Sequence, residues 1–277
     1  MMPNQILARM KCYSLSTQIV SICVRAFTIL VFSFPHSVLG ADSTVPLPEM
    51  VFITGGDFEM GSLADEKSQP VHRVSLPSFY ISKYEITYDE FDAFTQAVGK
   101  KSRHDLNRGR SKFPVVDVSW FDAVEYAEWL TLITGEKFRL PTEAEWEYVA
   151  KANTIISQYA WGNDLGSNRA NCRDCGSPSG GESSVPVGSF EPNAFGVHDM
   201  HGNVWELTST CSTQHYFPVI NQKQKAELDR CLMVMLRGGS WETDSSQIKV
   251  WYRATHIKNR AFSDVGIRLV KETDRIE

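Results

Sequence analysis

Between residues 50 and 86, short apolar runs alternate with turn residues, a pattern typical of β-strands. Residues 50–54 and 57–60 flank the Gly55-Gly56 pair, so the pattern predicts a hairpin that turns at these glycines. Two further apolar-rich segments, 71–76 and 79–86, predict additional short strands. This part of the chain is therefore expected to be β-structure.

Three helices are predicted next, each from a capping box. In this motif the hydroxyl of a Ser or Thr before the helix accepts a hydrogen bond from the backbone N–H of the third helical residue. The acidic side chain of that third residue accepts one from the backbone N–H of the Ser or Thr. The pairs are Thr87 with Glu90, Ser119 with Asp122 and Thr142 with Glu145, and Gly135 marks the end of the second helix. Helical spacing predicts buried faces made by Phe91, Phe94 and Val98, by Ala123, Val124, Ala127, Leu130 and Ile133, and by Trp146, Val149 and Ala150.

Beyond residue 159 the periodicity fades, but aromatic residues recur among frequent Gly, Asn, Ser and Asp. A disordered segment would contain few aromatic residues, so this half is expected to be folded and rich in loops. We find no internal repeat and no linker after residue 50. Residues 42–277 are therefore predicted to form one α+β domain with little regular secondary structure.

The first 41 residues differ from the rest. They contain no acidic residue, the basic residues Arg9, Lys11 and Arg25, and an apolar run from Ala26 to Phe34 that leads to small residues near position 41. This order is typical of a secretory signal peptide, so residues 1–41 are predicted to direct export to the periplasm or the cell exterior. A membrane anchor is the alternative, but the run is shorter than the roughly 20 residues that span a bilayer. No later segment is long enough to span one.

Net charge excludes one class of partner. The chain carries 28 Lys and Arg against 33 Asp and Glu, and removal of the three basic residues in 1–41 leaves 25 against 33, a net charge of −8. An acidic domain repels phosphate backbones, so a nucleic-acid partner is not expected.

The predicted mature domain retains four cysteines, Cys172, Cys175, Cys211 and Cys231. An even number in an exported protein predicts two disulfides, with three possible pairings. We favour Cys172–Cys175 with Cys211–Cys231, of which the second closes a loop worth about 3 kcal/mol. A redox pair would normally sit at a helix start, whereas residues 172–175 lie in a Gly/Ser/Asn-rich loop, and no companion motif completes a zinc site. Both alternatives remain open.

A series of short motifs resembles one protein family over nearly all of residues 47–271. The most characteristic are PVVDVSW at 114–120 and RLPTEAEWE at 139–147. In order, the motifs occupy 50–61, 70–74, 84–87, 114–120, 139–147, 161–162, 186–193, 196–206, 237–241 and 266–268. The chain thus resembles the formylglycine-generating enzyme, or sulfatase-modifying factor, family. This resemblance implies a mixed α+β, loop-rich fold related to C-type lectins.

The resemblance also implies structural calcium, a hard cation that binds oxygen ligands. Asn203, Glu206 and the Val204 carbonyl match one family site. Asn171 and the Cys172 carbonyl match part of a second. The alternative for the first set is that Asn203 caps a turn and Glu206 forms a salt bridge.

The chain departs from the family at the catalytic metal. The aerobic enzymes of the family hold copper(I) between two cysteines shortly after the Gly-Gly-Ser motif, because thiolates select this soft ion. The corresponding positions here are Thr243 and Ile248, and no cysteine follows Cys231. Copper-dependent conversion of a sulfatase cysteine to formylglycine is therefore not expected.

The remaining family groove is expected to be lined by Trp205, Ser240, Trp241 and Tyr252. Glu242 is the candidate general base. Arg253 is predicted either to clamp a substrate carboxylate bidentately or to bond loop carbonyls as a structural residue.

Three histidines, His198, His201 and His256, raise the possibility of a transition metal. His198 and His201 would share a helix face, but the glycines around them argue against a helix. Ergothioneine-type sulfoxide synthases share the fold and bind iron, but they draw histidine ligands from an additional helical domain that this chain lacks. No transition metal is assigned.

Two functions follow from the resemblance. The first is an exported tailoring or oxidative maturation enzyme that acts on a peptide-like metabolite or an exported protein, like cysteine-free relatives in periplasmic siderophore maturation. The alternative is a non-catalytic module that presents the same groove to a ligand or protein. Fold alone does not choose between these two, because function lives in the site. Formylglycine generation is a distant third, because it would need cysteines elsewhere, such as Cys211 and Cys231, to replace the lost pair.

Overall fold

The computed structural model describes residues 45–105, 109–152, 154, 157–212 and 231–273. The predicted signal peptide, residues 1–41, lies outside the described residues and stays a prediction. Within the described ranges, no helix is long and apolar enough to cross a membrane.

The first strands form one long, bent hairpin. Strand β1 (Met50–Ile53) is followed by β2 (Gly56–Met60), and β3 (His72–Leu76) by β4 (Phe79–Ser82). β2 pairs with β3 and β1 with β4, both antiparallel, with a single 3-10 turn, Glu66–Ser68, in the connection. The hairpin predicted within residues 50–60 is wrong, because β1 and β2 follow one another along the same arm and belong to different sheets.

Gly55 lies at the bend rather than in a turn. A Cβ atom at this position would lie 2.3 Å from the Leu76 carbonyl oxygen and 2.6 Å from the Ser78 nitrogen. The Gly55 N–H also donates to the Ser78 hydroxyl at 3.0 Å. Glycine is needed here because the two backbones approach closely where the arm passes from one sheet to the other.

All three predicted helices are present: α1 (Tyr88–Ala97), α2 (Trp120–Thr134) and α3 (Glu143–Lys151). Each begins with the predicted capping box. At α3, the Thr142 hydroxyl accepts from the Glu145 N–H at 3.2 Å, and the Glu145 carboxylate accepts from the Thr142 N–H at 2.7 Å. Helix α2 ends at Gly135, whose φ of 76° is left-handed.

The predicted buried faces are correct except at Val98, Ile133 and Val124. Phe91 and Trp146 are fully buried, as predicted. Val98 is 43% exposed because it follows the last residue of α1, and Ile133 in the last turn of α2 is 44% exposed. Val124 is only half-buried, and α2 buries Tyr126 and Trp129 instead.

Two four-stranded sheets organise the rest of the fold. The first, in the order β1-β4-β10-β5, adds β5 (Phe138–Arg139) and β10 (Val270–Glu272) to the hairpin. The second, in the order β8-β7-β6-β9, contains β6 (Trp205–Cys211), β7 (Met233–Arg237), β8 (Ala254–Ile257) and β9 (Val265–Gly266). Only the β6–β9 pair in this sheet is parallel. The sequence did not predict the second sheet, because β6 and β7 bury successive residues and show no alternation.

Buried Arg–Glu pairs join the elements. The pairs are Arg237 with Glu147, Arg253 with Glu143, and Arg268 with Glu206, and every one of these side chains is at most 2% exposed. The Arg237–Glu147 pair attaches β7 to α3, and the Arg253–Glu143 pair attaches the residue before β8 to α3. Removing one partner of such a pair leaves a buried charge without compensation, so each pair fixes the packing it spans.

Both predicted disulfides are confirmed. Cys172 bonds Cys175 with their Cα atoms 5.1 Å apart, and Cys211 bonds Cys231 across 5.6 Å. Cys172 and Cys175 are buried. Among the described residues, the one convergent group of three potential metal ligands is Cys172, Asp174 and Cys175, and the disulfide leaves no thiolate there for zinc.

Candidate active-site groove

The loop that follows β7 carries the predicted groove residues Ser240, Trp241 and Glu242, of which Ser240 is fully buried and Trp241 is 5% exposed. Gly238 and Gly239 have φ values of 93° and 75°, and a Cβ at Gly239 would lie 2.5 Å from Ile248 Cγ2. This left-handed turn, which favours glycine, brings the Trp241 N–H to 2.8 Å from the Asn203 carbonyl oxygen, just before β6. The predicted groove residues at 205 and 240–242 are thereby brought to one place.

Ser240 and Asp264 form the polar centre of this groove. The Ser240 hydroxyl donates to Asp264 Oδ2 at 2.9 Å, and its oxygen accepts from the Glu242 N–H at 3.3 Å. Burial is the main reason why the pKa of Asp264 is raised; the Ser240 hydrogen bond lowers it, and the charge of Glu242 raises it. Asp264 therefore binds a proton more tightly than an ordinary aspartate, which makes it a candidate base. Sequence analysis missed it, because a single Asp in a loop carries no motif.

Aromatic side chains form the wall beside this pair. The rings of Trp205 on β6 and Tyr252 lie 6.1 Å apart, and the Gln247 side chain donates to the Tyr252 hydroxyl at 3.2 Å. The Trp205 N–H donates to the Asp264 carbonyl at 2.8 Å. The wall and the carboxylate are thus held by the same backbone contact.

The two predicted catalytic side chains, Glu242 and Arg253, differ in whether a substrate could reach them. Glu242 is exposed, as a base that meets a substrate would be. Arg253 is 3% exposed, and its Nε and Nη2 donate to the two oxygens of Glu143 at 2.6 and 2.8 Å, while Nη1 donates to the Lys67 carbonyl at 2.9 Å. These contacts favour the structural alternative for Arg253, since its bidentate face is already bound to a carboxylate of the protein.

The positions predicted to correspond to the copper cysteines, Thr243 and Ile248, carry no thiolate. The Thr243 hydroxyl accepts from the Ser240 N–H and donates to the Ser240 carbonyl, both at 2.9 Å. Ile248 is fully buried and packs in an apolar cluster with Tyr159 and the Cys172–Cys175 disulfide. A backbone-bonded hydroxyl and a packed hydrocarbon offer no soft ligand for copper.

The Cys172–Cys175 loop braces the groove loop. The Arg173 N–H donates to the Thr243 carbonyl at 2.8 Å, and the Gly181 N–H donates to the Trp241 carbonyl at 2.7 Å. Asp174 accepts from the Ser245 N–H at 2.6 Å and from its hydroxyl at 2.7 Å. The disulfide therefore stabilises the loop on which Ser240 and Trp241 lie.

The first predicted calcium set does not fit the ion as the side chains stand. Both oxygens of Glu206 accept from the Arg268 guanidinium at 2.8–2.9 Å, and Trp146 Nε1 donates to the same carboxylate at 2.6 Å. A guanidinium at this distance would repel a divalent cation. The salt bridge that the sequence left as the alternative for Glu206 is the contact present, and no step below depends on calcium.

The asparagines of the two predicted calcium sets contact each other. The Asn203 N–H donates to the Asn171 carbonyl at 2.8 Å, and Asn203 Oδ1 accepts from the Val185 N–H at 2.9 Å. Asn171 Oδ1 accepts from the Ser177 hydroxyl at 2.9 Å, and the Cys172 carbonyl accepts from the Cys175 N–H at 3.3 Å. These oxygens tie three loops together within the protein.

The three histidines bond to separate backbone groups. A ring nitrogen of His198 lies 2.8 Å from the Phe190 carbonyl, and one of His256 lies 2.9 Å from the Arg260 carbonyl. His201 Nε2 accepts from the Ala160 N–H at 3.0 Å, so Nδ1 carries the proton and donates to the Ile248 carbonyl at 2.7 Å. Burial lowers the pKa of His201 to about 4. These histidines do not converge on a metal.

Comparisons with known proteins agree with this architecture. Residues 36–273 match the family described as the sulfatase-modifying factor enzyme 1-like domain. Over 248 residues the chain is 29% identical to the serine/threonine-protein kinase pkn1 of Chlamydia pneumoniae, covering 81% of this chain and 38% of that protein. It is 29% identical to the formylglycine-generating enzyme of Streptomyces coelicolor, covering 83% of this chain and 89% of that enzyme. The structure of PvdO from Pseudomonas aeruginosa superimposes with a TM-score of 0.70 at 31% identity, covering 82% of this chain and 95% of that one.

The fold and groove define a loop-rich α+β domain of the formylglycine-generating, C-type-lectin-like class, stapled by disulfides. The chain belongs to the sulfatase-modifying factor enzyme 1-like domain family. It spans about two fifths of the length of the pkn1 kinase that it matches.

Proposed function

We propose that the chain is an exported tailoring enzyme that acts on a peptide-like metabolite or an exported protein in the groove around Ser240. The observation that carries the proposal is the Ser240–Asp264 hydrogen bond, 2.9 Å long, beside an aromatic wall and an exposed glutamate. Aromatic walls with a few placed polar groups are typical of small-molecule sites.

The groove residues support proton transfer. Asp264 has a raised pKa, and Glu242 is open to solvent, so either carboxylate can accept a proton from a bound substrate. Ser240, which is fully buried, would hold the Asp264 carboxylate in place through its hydroxyl. If the reaction is an oxidation, the two electrons must pass to an external acceptor such as dioxygen, because these side chains accept protons only.

A non-catalytic binding module is the second candidate. It is favoured by Arg253, whose guanidinium is bound to Glu143 and so leaves Glu242 as the one available residue of the predicted catalytic pair. Formylglycine generation remains the third candidate and has the least support, since Thr243 and Ile248 replace the family's cysteines. Export through residues 1–41 is part of the proposal and is supported by the two disulfides, which persist in oxidising compartments.

The test uses purified protein incubated with an extract of the producing cells, followed by mass spectrometry of bound and converted compounds. The proposal predicts a compound that wild type binds and converts, for example with loss of two hydrogen atoms. Asp264→Asn and Glu242→Gln should still bind this compound but convert it slowly, whereas Asp244→Asn, a carboxylate change in the same loop, should behave as wild type.

Each other outcome separates the candidates. Binding that Trp205→Ala abolishes, without conversion by wild type, supports the module and contradicts the enzyme. Conversion of a cysteine-containing sulfatase peptide with copper would establish formylglycine generation. If none of the bound compounds depends on Trp205 for binding, the groove is excluded as a ligand site.

A further inference from the structure

A second cavity, of about 280 Å³, shares no residue with the groove. Trp161, Arg169, Phe190, Glu191, Asp199 and His201 are among its lining residues. Its volume corresponds to about nine water molecules at ~30 Å³ each, which suits a molecule the size of an amino acid. The cavity therefore limits any occupant to a small compound.

One wall of this cavity is aromatic and fixed. The Trp161 ring stacks on Tyr159 with centroids 5.1 Å apart and planes inclined by 9°, and it meets the edge of His201 at 4.9 Å. Its indole N–H donates to the Asp164 carbonyl at 2.9 Å. Both ring nitrogens of His201 are already bonded to backbone, so this histidine contributes a neutral surface.

A cationic group lies on the aromatic wall. The guanidinium carbon of Arg169 is 6.0 Å from the Trp161 ring centroid, within cation–π range. Among the described residues, Arg169 makes no side-chain hydrogen bond and no ion pair. Its planar donors are therefore free to bind a carboxylate bidentately.

Two carboxylates complete the cavity lining. Asp199 is 7% exposed; its Oδ2 accepts from the Gly188 N–H at 2.6 Å, but Oδ1 has no hydrogen-bond partner among the described residues. A buried carboxylate oxygen without a donor is costly, and a ligand ammonium would remove that cost. Glu191 adds a second, exposed carboxylate.

We infer that this cavity binds a small zwitterion with excess positive charge, namely a free basic amino acid. One guanidinium faces two carboxylates, so a ligand with one carboxylate and two cationic groups balances the lining charge. Arg169 would bind the ligand carboxylate, while Asp199 and Glu191 would bind its cationic groups. The inference does not depend on the proposed function, because the two sites share no residue.

Isothermal titration calorimetry on the purified protein tests the inference, with L-arginine and L-lysine as probes in buffer containing a calcium chelator. Saturable binding of at least one is expected, together with a change in Trp fluorescence. Acetate carries only the carboxylate and butylamine only a cationic group, so each should bind at least tenfold more weakly than the amino acids.

Variants assign the binding to this cavity. Arg169→Gln and Glu191→Gln change exposed side chains, so both should fold, and each should weaken amino-acid binding at least tenfold. Arg260→Gln, a matched change at an exposed arginine outside the cavity, should leave binding unchanged. Absence of saturation at millimolar L-arginine and L-lysine would overturn the inference, as would binding that Arg169→Gln does not alter. Loss of cavity binding with intact conversion in the groove would separate the two proposals.

Discussion

At the scale of single residues, the groove depends on Asp264, which no motif marks. Ser240 and Trp241 were predicted because they belong to the RGGSW motif, whereas Asp264 reaches Ser240 only through the fold, over 24 positions of sequence. Arg253 shows the converse. Its place in the expected family groove suggested a ligand clamp, but its partner Glu143 lies 110 positions away and could not be recognised from spacing.

The first prediction concerns the base. Replacing Asp264 by Asn removes the proton acceptor, so turnover should fall by roughly 10²–10⁴-fold with little change in binding. Because the pKa of Asp264 is raised by burial, wild-type turnover should decline on the acid side at a higher pH than an ordinary aspartate would give. A full pH profile of conversion measures both effects. Unchanged turnover in Asp264→Asn, or an acid limb in the ordinary aspartate range, would remove Asp264 from the mechanism.

The second prediction concerns the buried pair of Arg253 and Glu143. Arg253→Ala removes two hydrogen bonds from the buried Glu143 carboxylate and leaves it the longer ion pair with Arg237 at 3.6 Å, so the free energy of unfolding should fall by about 3 kcal/mol. Urea denaturation provides the measurement. The double variant Arg253→Met, Glu143→Leu should be less destabilised, and Arg73→Ala, at an exposed pair with Asp57, should change stability little. A double variant no better than Arg253→Ala would contradict this account.

The third prediction concerns His201. Burial lowers its folded pKa to about 4 from the ordinary histidine value of 6.5, so its contribution to stability is present above pH 6.5 and is lost as the pH falls through 4. The loss amounts to up to about 3 kcal/mol. Asp199 acts oppositely: its folded pKa is raised to about 6, so its contribution is full below 3.8 and is lost as the pH rises through 6.

The comparison of wild type with His201→Gln isolates this residue from Asp199. Between pH 7 and pH 4.5, the free energy of unfolding should fall more steeply with decreasing pH in wild type than in the variant, because Asp199 is common to both. Parallel curves for the two proteins would show that His201 is not buried as a neutral side chain.

At the scale of elements, sequence signals succeeded where they were local. The capping boxes at Thr87, Ser119 and Thr142 each place donor and acceptor within four residues, so the helix starts were correct. Gly55-Gly56 was misread because a glycine pair marks either a turn or a close backbone approach, and only the distant residues Leu76 and Ser78 decide between them. The sheet that carries Trp205 was missed because β6 and β7 bury successive residues and therefore show no alternation.

The fourth prediction concerns the short disulfide loop. Removing Cys172–Cys175 with the double Ala variant should lower stability by about 2 kcal/mol on chain-entropy grounds. It should also speed hydrogen exchange at the amides of Arg173, Gly181 and Ser245. The first two donate to carbonyls of the loop after β7, and the third donates to Asp174 in the disulfide loop. Removal of Cys211–Cys231 should cost about 3 kcal/mol but leave those three amides protected. Equal exchange in both variants would mean that the 172–175 loop does not brace the groove.

At the scale of the whole molecule, the chain is a sulfatase-modifying factor domain in which Thr243 and Ile248 occupy the predicted copper positions. The fold was predictable because about ten short motifs occur in the family order and residues 36–273 match it. The chemistry was less predictable, because the predicted ligands Asn203 and Glu206 and the predicted clamp Arg253 are all engaged in contacts that only the folded chain creates.

The most direct test of this account is the copper content of the purified protein after incubation with copper(I) and removal of excess metal by a chelator of known affinity. A formylglycine-generating enzyme treated in parallel provides the positive control. With Thr243 and Ile248 in place of the two cysteines, the account predicts no copper retained by the chain, in contrast to about one ion per chain in the control. Retention of one copper ion per chain, with oxidation of a cysteine peptide, would contradict it.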